Sequence, residues 1–341
     1  MDVRISWVGD LSDADLALGR SLLPAGYSLD RVHLLGDEVE EADRAWLRTS
    51  QAVVSRRARV DLHLLQLCPR LELVQVYGVR DELVDRSATA AAGVEVQTTH
   101  LTGCVAVAEL AIALMLCLSK RIVEGHQKVV GRAYRALGLE PFATTQSRHA
   151  FQWMRLRDVF ELSGRTLGIV GFGEIGSEVA QRAHAFGMRV LYFKRVRLAA
   201  SEEARLGIEW GSFEGLLQAA DFVVLSLPYS NEVRHMIGRR QLAMMKPTSY
   251  LVNVARGPLV DESALGDALS AGRIAGAGLD VFEFEPWPGQ GDVISHPRTV
   301  LTPHIGGGSG GAREKQLADV LAEVVEFAAK RRGSDTAGSE R

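Results

Sequence analysis

The chain of 341 residues has little of what marks the more specialised classes of protein. Its three cysteines, Cys68, Cys104 and Cys117, form no CxxC pair, so we expect neither a disulfide scaffold nor a metal site. The 39 Lys and Arg nearly balance the 42 Asp and Glu, and this net charge of -3 predicts no nucleic-acid partner. The longest apolar run, at 105–118, is short for a bilayer and contains Glu109, so it predicts a buried helix and no membrane association. The N-terminus lacks the apolar stretch of a secretory signal, which predicts a cytoplasmic protein.

Apolar residues are plentiful, at 47% of the chain, and the length predicts about two domains. Short β-branched runs alternate with segments of helical period, which predicts parallel α/β layers. The predicted strands lie at 3–9, 52–55, 71–78 and 94–99, and then at 166–171, 189–193, 222–228, 250–255, 276–282 and 299–303. The last six are nearly continuous in apolar residues, as a sheet buried on both faces requires. Residues 125–160 are less regular and are interpreted as a connecting arm.

A glycine-rich loop follows the first strand of the second group. Gly171, Gly173 and Gly176 have GxGxxG spacing and lie between a predicted strand and a predicted helix. In a dinucleotide site the first glycine permits a tight turn, the second lets the pyrophosphate approach the backbone, and the third lets the helix pack closely on the strand. The sequence therefore predicts a dinucleotide site, with a purely structural glycine turn as the alternative.

The end of the next strand bears on which dinucleotide binds. An NAD site usually places Asp or Glu there, to bind the ribose 2'-hydroxyl group. This chain instead has Lys194, followed by Arg195 and Arg197. Cations suit a 2'-phosphate, so we predict that NADP is preferred and that NAD remains possible. The alternative is that these are solvated surface charges.

Polar side chains follow three later strands, and they suit a hydride-transfer site. Reduction of a 2-keto acid needs a cation for the carboxylate, a proton donor for the forming alkoxide, and a group that keeps the donor protonated. Arg256, His304 and Glu285 supply these three roles. Taken alone, each of the three could instead be an ordinary surface residue. Glu283 is a neighbouring alternative to Glu285, and His296 is a neighbouring alternative to His304.

Several segments together resemble the D-isomer-specific 2-hydroxyacid dehydrogenases, the family of phosphoglycerate dehydrogenase and glyoxylate/hydroxypyruvate reductase. They are ELSGRTLGIVGFGEIG, DFVVLSLP, MMKPTSYLVNVARGPLVDESAL, AGAGLDVFEFEP and LTPHIGG, and the resemblance is strong over residues 105–310. By position, the family's catalytic Arg, Glu and His fall on Arg256, Glu285 and His304. The resemblance implies D-stereospecific transfer of a hydride between NADPH, or NADH, and a 2-keto or 2-hydroxy acid.

The resemblance also implies the architecture and the cofactor contacts. We expect a Rossmann doubly wound coenzyme domain at 105–304, inserted into a flavodoxin-like substrate domain at 1–104 and 305–332, with a disordered tail at 333–341. A homodimer formed through the coenzyme domain is expected. Asp280 resembles the residue that binds the nicotinamide carboxamide, and Val254 and Ala255 line the same cofactor face. The remaining predicted cofactor contacts are Glu174, Ile175, Leu227, Pro228 and Gly306.

The predicted substrate loops depart from the family. Gly78 and Val79 fit a turn that offers backbone amides to the substrate carboxylate, but Arg80 stands where a second glycine is usual. His100 replaces a proline of the second loop. One hypothesis is that Arg80 and His100 add positive charge for a substrate with a second anionic group. The alternative is that Arg80 points to solvent.

Two other functions remain open at this point. One is a dinucleotide-sensing binding protein, like the transcriptional corepressors that share this fold and retain the same three catalytic residue types. The other is a phosphonate or phosphite oxidoreductase on the same scaffold.

Overall fold

The structure is a computed structural model that describes residues 2–35, 38–288, 296–307 and 311–338. It divides into two compact units. The split unit comprises Met1–Val105 and Gly308–Arg341, and the inserted unit comprises Ala106–Gly307. These boundaries lie within three residues of the predicted domain boundaries at 104/105 and 304/305.

The split unit contains a five-stranded parallel sheet. Its strands, in spatial order, are β2 (Tyr27–Val32), β1 (Val3–Gly9), β5 (Ala52–Arg56), β6 (Leu73–Val76) and β7 (Glu95–Thr98). A separate hairpin pairs β3 (Leu34–Leu35) with β4 (Glu38–Val39). The order 2-1-5-6-7 is that of a flavodoxin-like sheet once the hairpin is left out, which confirms the predicted fold. Sequence patterning missed β2 because this edge strand buries only Leu29 and Val32.

The helices of the split unit cover both faces of this sheet. They are α1 (Asp13–Leu22), α2 (Glu41–Leu47), α3 (Leu62–Leu67), α4 (Arg86–Ala91) and, at the C-terminus, the helix Ala312–Gly338. Leu317, Val320, Leu321 and Val324 of this last helix are buried in one core with β1. The described part of this helix ends at Gly338, within the segment 333–341 for which a disordered tail stays a prediction.

The inserted unit contains a seven-stranded parallel sheet. Its strands, in spatial order, are β10 (Ile208–Trp210), β9 (Arg189–Phe193), β8 (Thr166–Val170), β11 (Phe222–Leu225), β12 (Tyr250–Asn253), β13 (Gly276–Leu279) and β14 (Thr299–Leu301). The order reverses beside β8, as in a doubly wound Rossmann sheet, which confirms the predicted fold class. The six predicted strands are all present. The short edge strand β10 was missed because only Ile208 of its three residues is buried.

The helices of the inserted unit include five that connect consecutive strands of this sheet. The full set is α5 (Thr102–Lys120), α6 (Ile122–Val130), α7 (Glu174–Ala185), α8 (Ala200–Leu206), α9 (Phe213–Ala219), α10 (Arg239–Met244) and α11 (Glu262–Ser270), after which the C-terminal helix is α12. Asp261 caps α11 by accepting the backbone N–H of Ala264 at 3.0 Å. The region predicted as a connecting arm holds α6 and a short 3-10 helix at Ala133–Leu137.

Helix α5 begins in the split unit and continues into the inserted unit. By length and composition alone it is apolar enough to cross a membrane, although 39% of its most apolar stretch is buried within the protein. Ala108, Ala111 and Met115 are fully buried in the core of the inserted unit. The run predicted as a buried helix is thus a helix with one face in that core.

Candidate active site

The glycine loop connects β8 to α7, and its three glycines have separate steric reasons. Gly171 has a φ of +91°, and a Cβ there would lie 2.4 Å from the Cβ of Leu227. A Cβ on Gly176 would lie 2.8 Å from the carbonyl oxygen of Gly171. Gly173 faces open space, with nothing within 4 Å of an added Cβ. The loop therefore leaves room at the second glycine, where a pyrophosphate would approach the backbone.

The start of α7 gives that open space its electrostatic character. Gly173 is the N-cap and α7 begins at Glu174, so the first unpaired N–H groups of the helix lie beside the loop. Ser226, at the end of β11, donates a 2.7 Å hydrogen bond to the carbonyl oxygen of Gly171 and fixes the loop against the neighbouring strand. Glu174 and Ile175 are half-buried at the helix start. These contacts fit a dinucleotide phosphate.

The cations after β9 differ in how they are held. Lys194 is half-buried and directly follows the strand, whereas Arg195 is exposed and lies 3.9 Å from Glu232. Arg197 forms a bidentate pair with Glu203, in which Nε and Nη2 of the arginine donate to the two carboxylate oxygens at 2.8 and 2.7 Å. Glu203 also accepts the hydroxyl of Tyr192, and with these partners its pKa falls to about 2. Lys194 and Arg195 therefore remain as candidates for a 2'-phosphate, and Arg197 has a structural role.

Arg256 lies in a tight turn that follows β12. The side-chain amide of Asn253 donates to the carbonyl oxygen of Arg256 at 2.9 Å and accepts the N–H of Ala255 at 3.1 Å. Asn253 is buried, whereas the Arg256 side chain is exposed. Gly257 then passes very close to the loop after β13, since a Cβ there would lie 1.9 Å from the carbonyl oxygen of Phe282. This contact sets the Arg256 turn against the loop that carries Glu285.

His304 and Glu285 form a direct pair. Nδ1 of His304 lies 2.5 Å from Oε2 of Glu285, while Oε1 of Glu285 accepts the N–H of Phe282 at 2.9 Å. Burial raises the pKa of Glu285, but the hydrogen bonds from His304 and Phe282 and the nearby charge of Arg256 outweigh it, so the pKa is lowered. An ionised Glu285 orients the imidazole ring through this contact. The His304 side chain is 44% exposed, which leaves the ring accessible.

Asp280 organises the backbone on which His304 stands. Its carboxylate accepts hydrogen bonds from the hydroxyl of Thr302 at 2.7 Å and from the N–H groups of Ile305 and Gly306, both at 2.9 Å. Its carbonyl oxygen accepts the N–H of His304 at 2.8 Å. His304 itself has a φ of +54°, in the left-handed region that non-glycine residues rarely adopt. Asp280 therefore holds His304 in a strained conformation, a role that the sequence did not reveal.

The remaining predicted cofactor residues lie at the same edge of the sheet. Leu227 and Pro228 follow β11, and Val254 and Ala255 follow β12. Val254 and Ala255 are both buried. Gly306 follows β14 and is also buried. Each predicted cofactor residue thus follows the carboxyl end of a strand or opens the helix after it, where ligands bind in open α/β sheets.

The predicted substrate residues belong to the split unit. Gly78, with a φ of +121°, Val79 and Arg80 follow β6, and His100 follows β7. Arg80 does not simply point to solvent, because its side chain is only 11% exposed and pairs with Glu82. Nε of Arg80 donates to Glu82 at 3.1 Å. This pair balances the positive charge that was expected to favour a second anionic group.

The two alternatives to Glu285 and His304, namely Glu283 and His296, lie in other environments. His296 lies before β14, and burial together with the charge of Arg298 lowers its pKa. Glu283 does not contact His304 in any described hydrogen bond, and it pairs with Arg234 and His235. Among the described residues, no cluster of His, Cys, Asp and Glu could hold a metal ion.

The comparisons with known proteins show the family of the chain. The family model "D-isomer specific 2-hydroxyacid dehydrogenase, NAD binding domain" matches residues 112–306. A glyoxylate reductase from Thermococcus gammatolerans is 39% identical over 79% of this chain and 77% of the relative. A glyoxylate reductase from Pyrococcus horikoshii is 36% identical over 87% of this chain and 86% of the relative.

Solved structures give the same result. A glyoxylate reductase from Paecilomyes thermophila has a TM-score of 0.54 at 28% identity. The match covers 95% of this chain and 94% of the reductase. An NADPH-dependent glyoxylate/hydroxypyruvate reductase from Sinorhizobium meliloti has a TM-score of 0.52 at 28% identity. The match covers 93% of this chain and 91% of the reductase.

The chain belongs to the D-isomer specific 2-hydroxyacid dehydrogenase family. It is a D-2-hydroxyacid oxidoreductase that uses a nicotinamide cofactor. None of the relatives described above carries the name of a corepressor or of a phosphonate or phosphite oxidoreductase, so the comparisons do not support those two alternatives.

Proposed function

We propose that this dehydrogenase reduces a short 2-oxo acid of the glyoxylate or hydroxypyruvate type, with NADPH as its preferred cofactor. The observation that carries the proposal is the His304–Glu285 pair, which lies at the carboxyl edge of the same sheet that bears the glycine loop. Four relatives whose names specify glyoxylate or glyoxylate/hydroxypyruvate reductase support the substrate class.

The proposed chemistry divides one reduction between three side chains. The nicotinamide, when bound, supplies the hydride that C2 of the 2-oxo acid accepts. Because Glu285 engages Nδ1 of His304, Nε2 is the ring nitrogen that faces the substrate, and it donates the proton that turns the C2 oxygen into a hydroxyl group. The guanidinium of Arg256 binds the substrate carboxylate and orients C2. In the oxidation direction His304 takes the proton back.

The contacts of Arg80 bear on the size of the substrate. Since Arg80 pairs with Glu82, the loop after β6 offers little net charge to a second anionic group. We therefore favour monocarboxylic 2-oxo acids over dicarboxylic or phosphorylated ones.

A substrate panel tests the activity. The purified chain is assayed by loss of absorbance of NADPH or NADH with glyoxylate, hydroxypyruvate, phenylpyruvate, oxaloacetate and phosphonopyruvate. We expect the highest kcat/KM with NADPH and glyoxylate or hydroxypyruvate. A higher kcat/KM for oxaloacetate or phosphonopyruvate would contradict the substrate class.

The cofactor preference rests on Lys194 and Arg195, which directly follow β9. Replacing Lys194 by Asp puts a carboxylate where a 2'-phosphate would bind and restores the acceptor that a ribose 2'-hydroxyl needs. We expect the ratio of kcat/KM for NADPH to that for NADH to fall about tenfold or more. Arg189→Gln, at the amino end of the same strand, is the matched control and leaves the ratio unchanged. An unchanged ratio in the Lys194→Asp enzyme contradicts the proposal.

A homodimer and a cytoplasmic location are also part of the proposal. Many of the large apolar side chains that the structure leaves exposed lie in 122–153, among them Val130 at 67% and Phe151 at 87%. Apolar clusters of this kind mark interfaces. We expect light scattering to give twice the chain mass, and Phe151→Ser with Val130→Ser to shift it toward one chain. A monomeric wild type contradicts the dimer, and recovery of the protein outside the cytoplasmic fraction contradicts the location.

A further inference from the structure

A second set of ionisable side chains lies behind the loop that carries Glu285. Glu283 pairs with Arg234 and lies 3.3 Å from Nε2 of His235. Its own backbone N–H donates to Oε1 of Glu262 at 2.7 Å. None of these groups has a role in the hydride transfer proposed above, yet together they hold a loop that ends at Glu285.

Glu262 opens α11, but its side chain is turned toward this loop. The residue is half-buried, and burial raises the pKa of its carboxyl group, with Glu283 raising it further and the Glu283 amide and His235 opposing. A carboxyl at the start of a helix would ordinarily stay solvated and ionised beside the helix N-terminus. Here the carboxyl group is placed to accept one particular backbone amide.

The direction of that amide decides where Glu285 points. The loop from Phe282 to Glu285 closes on itself, because the N–H of Phe282 donates to Oε1 of Glu285 at 2.9 Å. The adjacent N–H, that of Glu283, is the one that Glu262 accepts. Gly257 packs directly against the same peptide group, so the loop has no space to shift in that direction. Rotation of the 282–283 peptide would thus turn Glu285 away from His304.

The same region also holds the turn after Arg256. The N–H of His235 donates to the carbonyl oxygen of Pro258 at 2.8 Å, and Ile237 pairs with Val260 as an isolated parallel bridge. The segment 234–237 therefore contacts both the Arg256 turn, through its backbone, and the Glu285 loop, through Glu283.

We propose that Glu262 is a positioning residue for hydride transfer, which accepts the Glu283 amide and so fixes the 282–285 loop with the Glu285 carboxylate against Nδ1 of His304. The inference rests on the proposed roles of His304 and Glu285 and adds a residue that touches neither substrate nor cofactor. It concerns the acceptor oxygen of Glu262 and not its charge.

Three variants separate the acceptor from the charge. Glu262→Ala removes the acceptor, and we expect kcat to fall about tenfold with KM for the 2-oxo acid nearly unchanged, since only part of the general-acid contribution is lost. Glu262→Gln keeps an acceptor oxygen and restores kcat to near the wild-type value. Asp267→Ala, on the same helix and paired with Arg239 at the surface, is the matched control and behaves as wild type. Glu262→Asp, which only shortens the side chain, replaces Glu262→Ala if that variant does not fold.

A proton NMR measurement decides the inference without any substrate. A short Nδ1–H to carboxylate hydrogen bond gives a low-field proton signal, assigned here by its loss in His304→Gln. We expect the signal in wild type, Glu262→Gln and Asp267→Ala, and its loss in Glu262→Ala. If wild type reduces no 2-oxo acid, the proposed function fails while the NMR result still stands. If Glu262→Ala retains the signal, or if Gln impairs the enzyme as much as Ala, the positioning role is wrong.

Discussion

One loop of the split unit and the catalytic loops of the inserted unit hold their charged side chains in two different ways. In the split unit, the loop after β6 pairs its charges with near neighbours, Arg80 with Glu82 and Arg86 with Asp81, two and five residues apart. In the inserted unit, Glu285 meets His304 across 19 residues and Asp280 meets Gly306 across 26. Near-neighbour pairs shape one loop, whereas contacts between separate strand ends bring several loops to one place. The second arrangement is the one that assembles catalytic groups.

The largest effect that this comparison predicts comes from His304, where the long contacts meet. His304→Ala removes the proton donor, and we expect kcat to fall by about 10²–10⁴ with little change in cofactor affinity. Turnover assays and a cofactor titration measure the two quantities. His296→Ala is the control, since His296 lies before β14 and not after it. Near-normal turnover of His304→Ala would remove the central member of the proposed site.

The next effect concerns the contact between two of these loops. Gly257→Ala places a Cβ at 1.9 Å from the carbonyl oxygen of Phe282, so the Glu285 loop must move. We expect a loss of roughly 1–3 kcal/mol in the free energy of unfolding, together with a lower kcat. Urea denaturation and turnover assays measure both. Gly211→Ala, where a Cβ meets nothing closer than 3.9 Å, serves as the control. Equal stability of the two variants would mean that the close approach is unimportant.

A smaller effect is expected in the loop of near-neighbour pairs. Because Glu82 balances the charge of Arg80, Arg80→Gly should alter the ratio of KM values for glyoxylate and oxaloacetate by less than about twofold. Steady-state assays with both acids measure the ratio. A selective loss of affinity for oxaloacetate would instead revive the hypothesis that Arg80 binds a second anionic group.

The smallest effect concerns a short-range pair inside the inserted unit. Glu203 has its pKa lowered from 4.5 to about 2, first by Arg197 and then by Tyr192. A lowered pKa stabilises the folded state above the unfolded pKa, and this contribution is lost as pH falls toward 2. We therefore expect Glu203→Gln to be less stable than wild type at pH 7, with the difference shrinking below pH 4.5. Thermal unfolding from pH 7 downward measures it, and a constant difference would contradict the ion-pair account.

What the sequence predicted well was what local chemistry dictates. The spacing of Gly171, Gly173 and Gly176 between a strand and a helix has few physical uses, and the structure gives each glycine a distinct one. Arg256, Glu285 and His304 were predicted because hydride transfer needs those residue types and because the family resemblance placed them, and the structure brings Glu285 and His304 into contact.

The supporting contacts were beyond the sequence for a physical reason. From the sequence, Glu262 is expected to be an ordinary acidic residue in the first turn of a helix. Nothing in the neighbouring sequence indicates that its side chain accepts the backbone N–H of Glu283, 21 residues away. The pairing of Arg80 with Glu82 was missed for the opposite reason, since a near-neighbour pair was available but the loop was read only for its net charge. In both cases the unknown was a side-chain direction, which the local pattern does not determine.

The hydrogen bonds that the Asp280 carboxylate accepts make the opening of this site measurable by hydrogen exchange. The amide hydrogens of Ile305 and Gly306 end on its two oxygens, so neither exchanges with solvent deuterium unless that junction opens. His304, with its left-handed backbone conformation, lies immediately before these two residues. Loss of their hydrogen bonds to Asp280 would therefore also free His304 from that conformation. The exchange rates of these two amides should therefore rise and fall together. They would report how often the catalytic edge comes apart while the rest of the sheet stays folded.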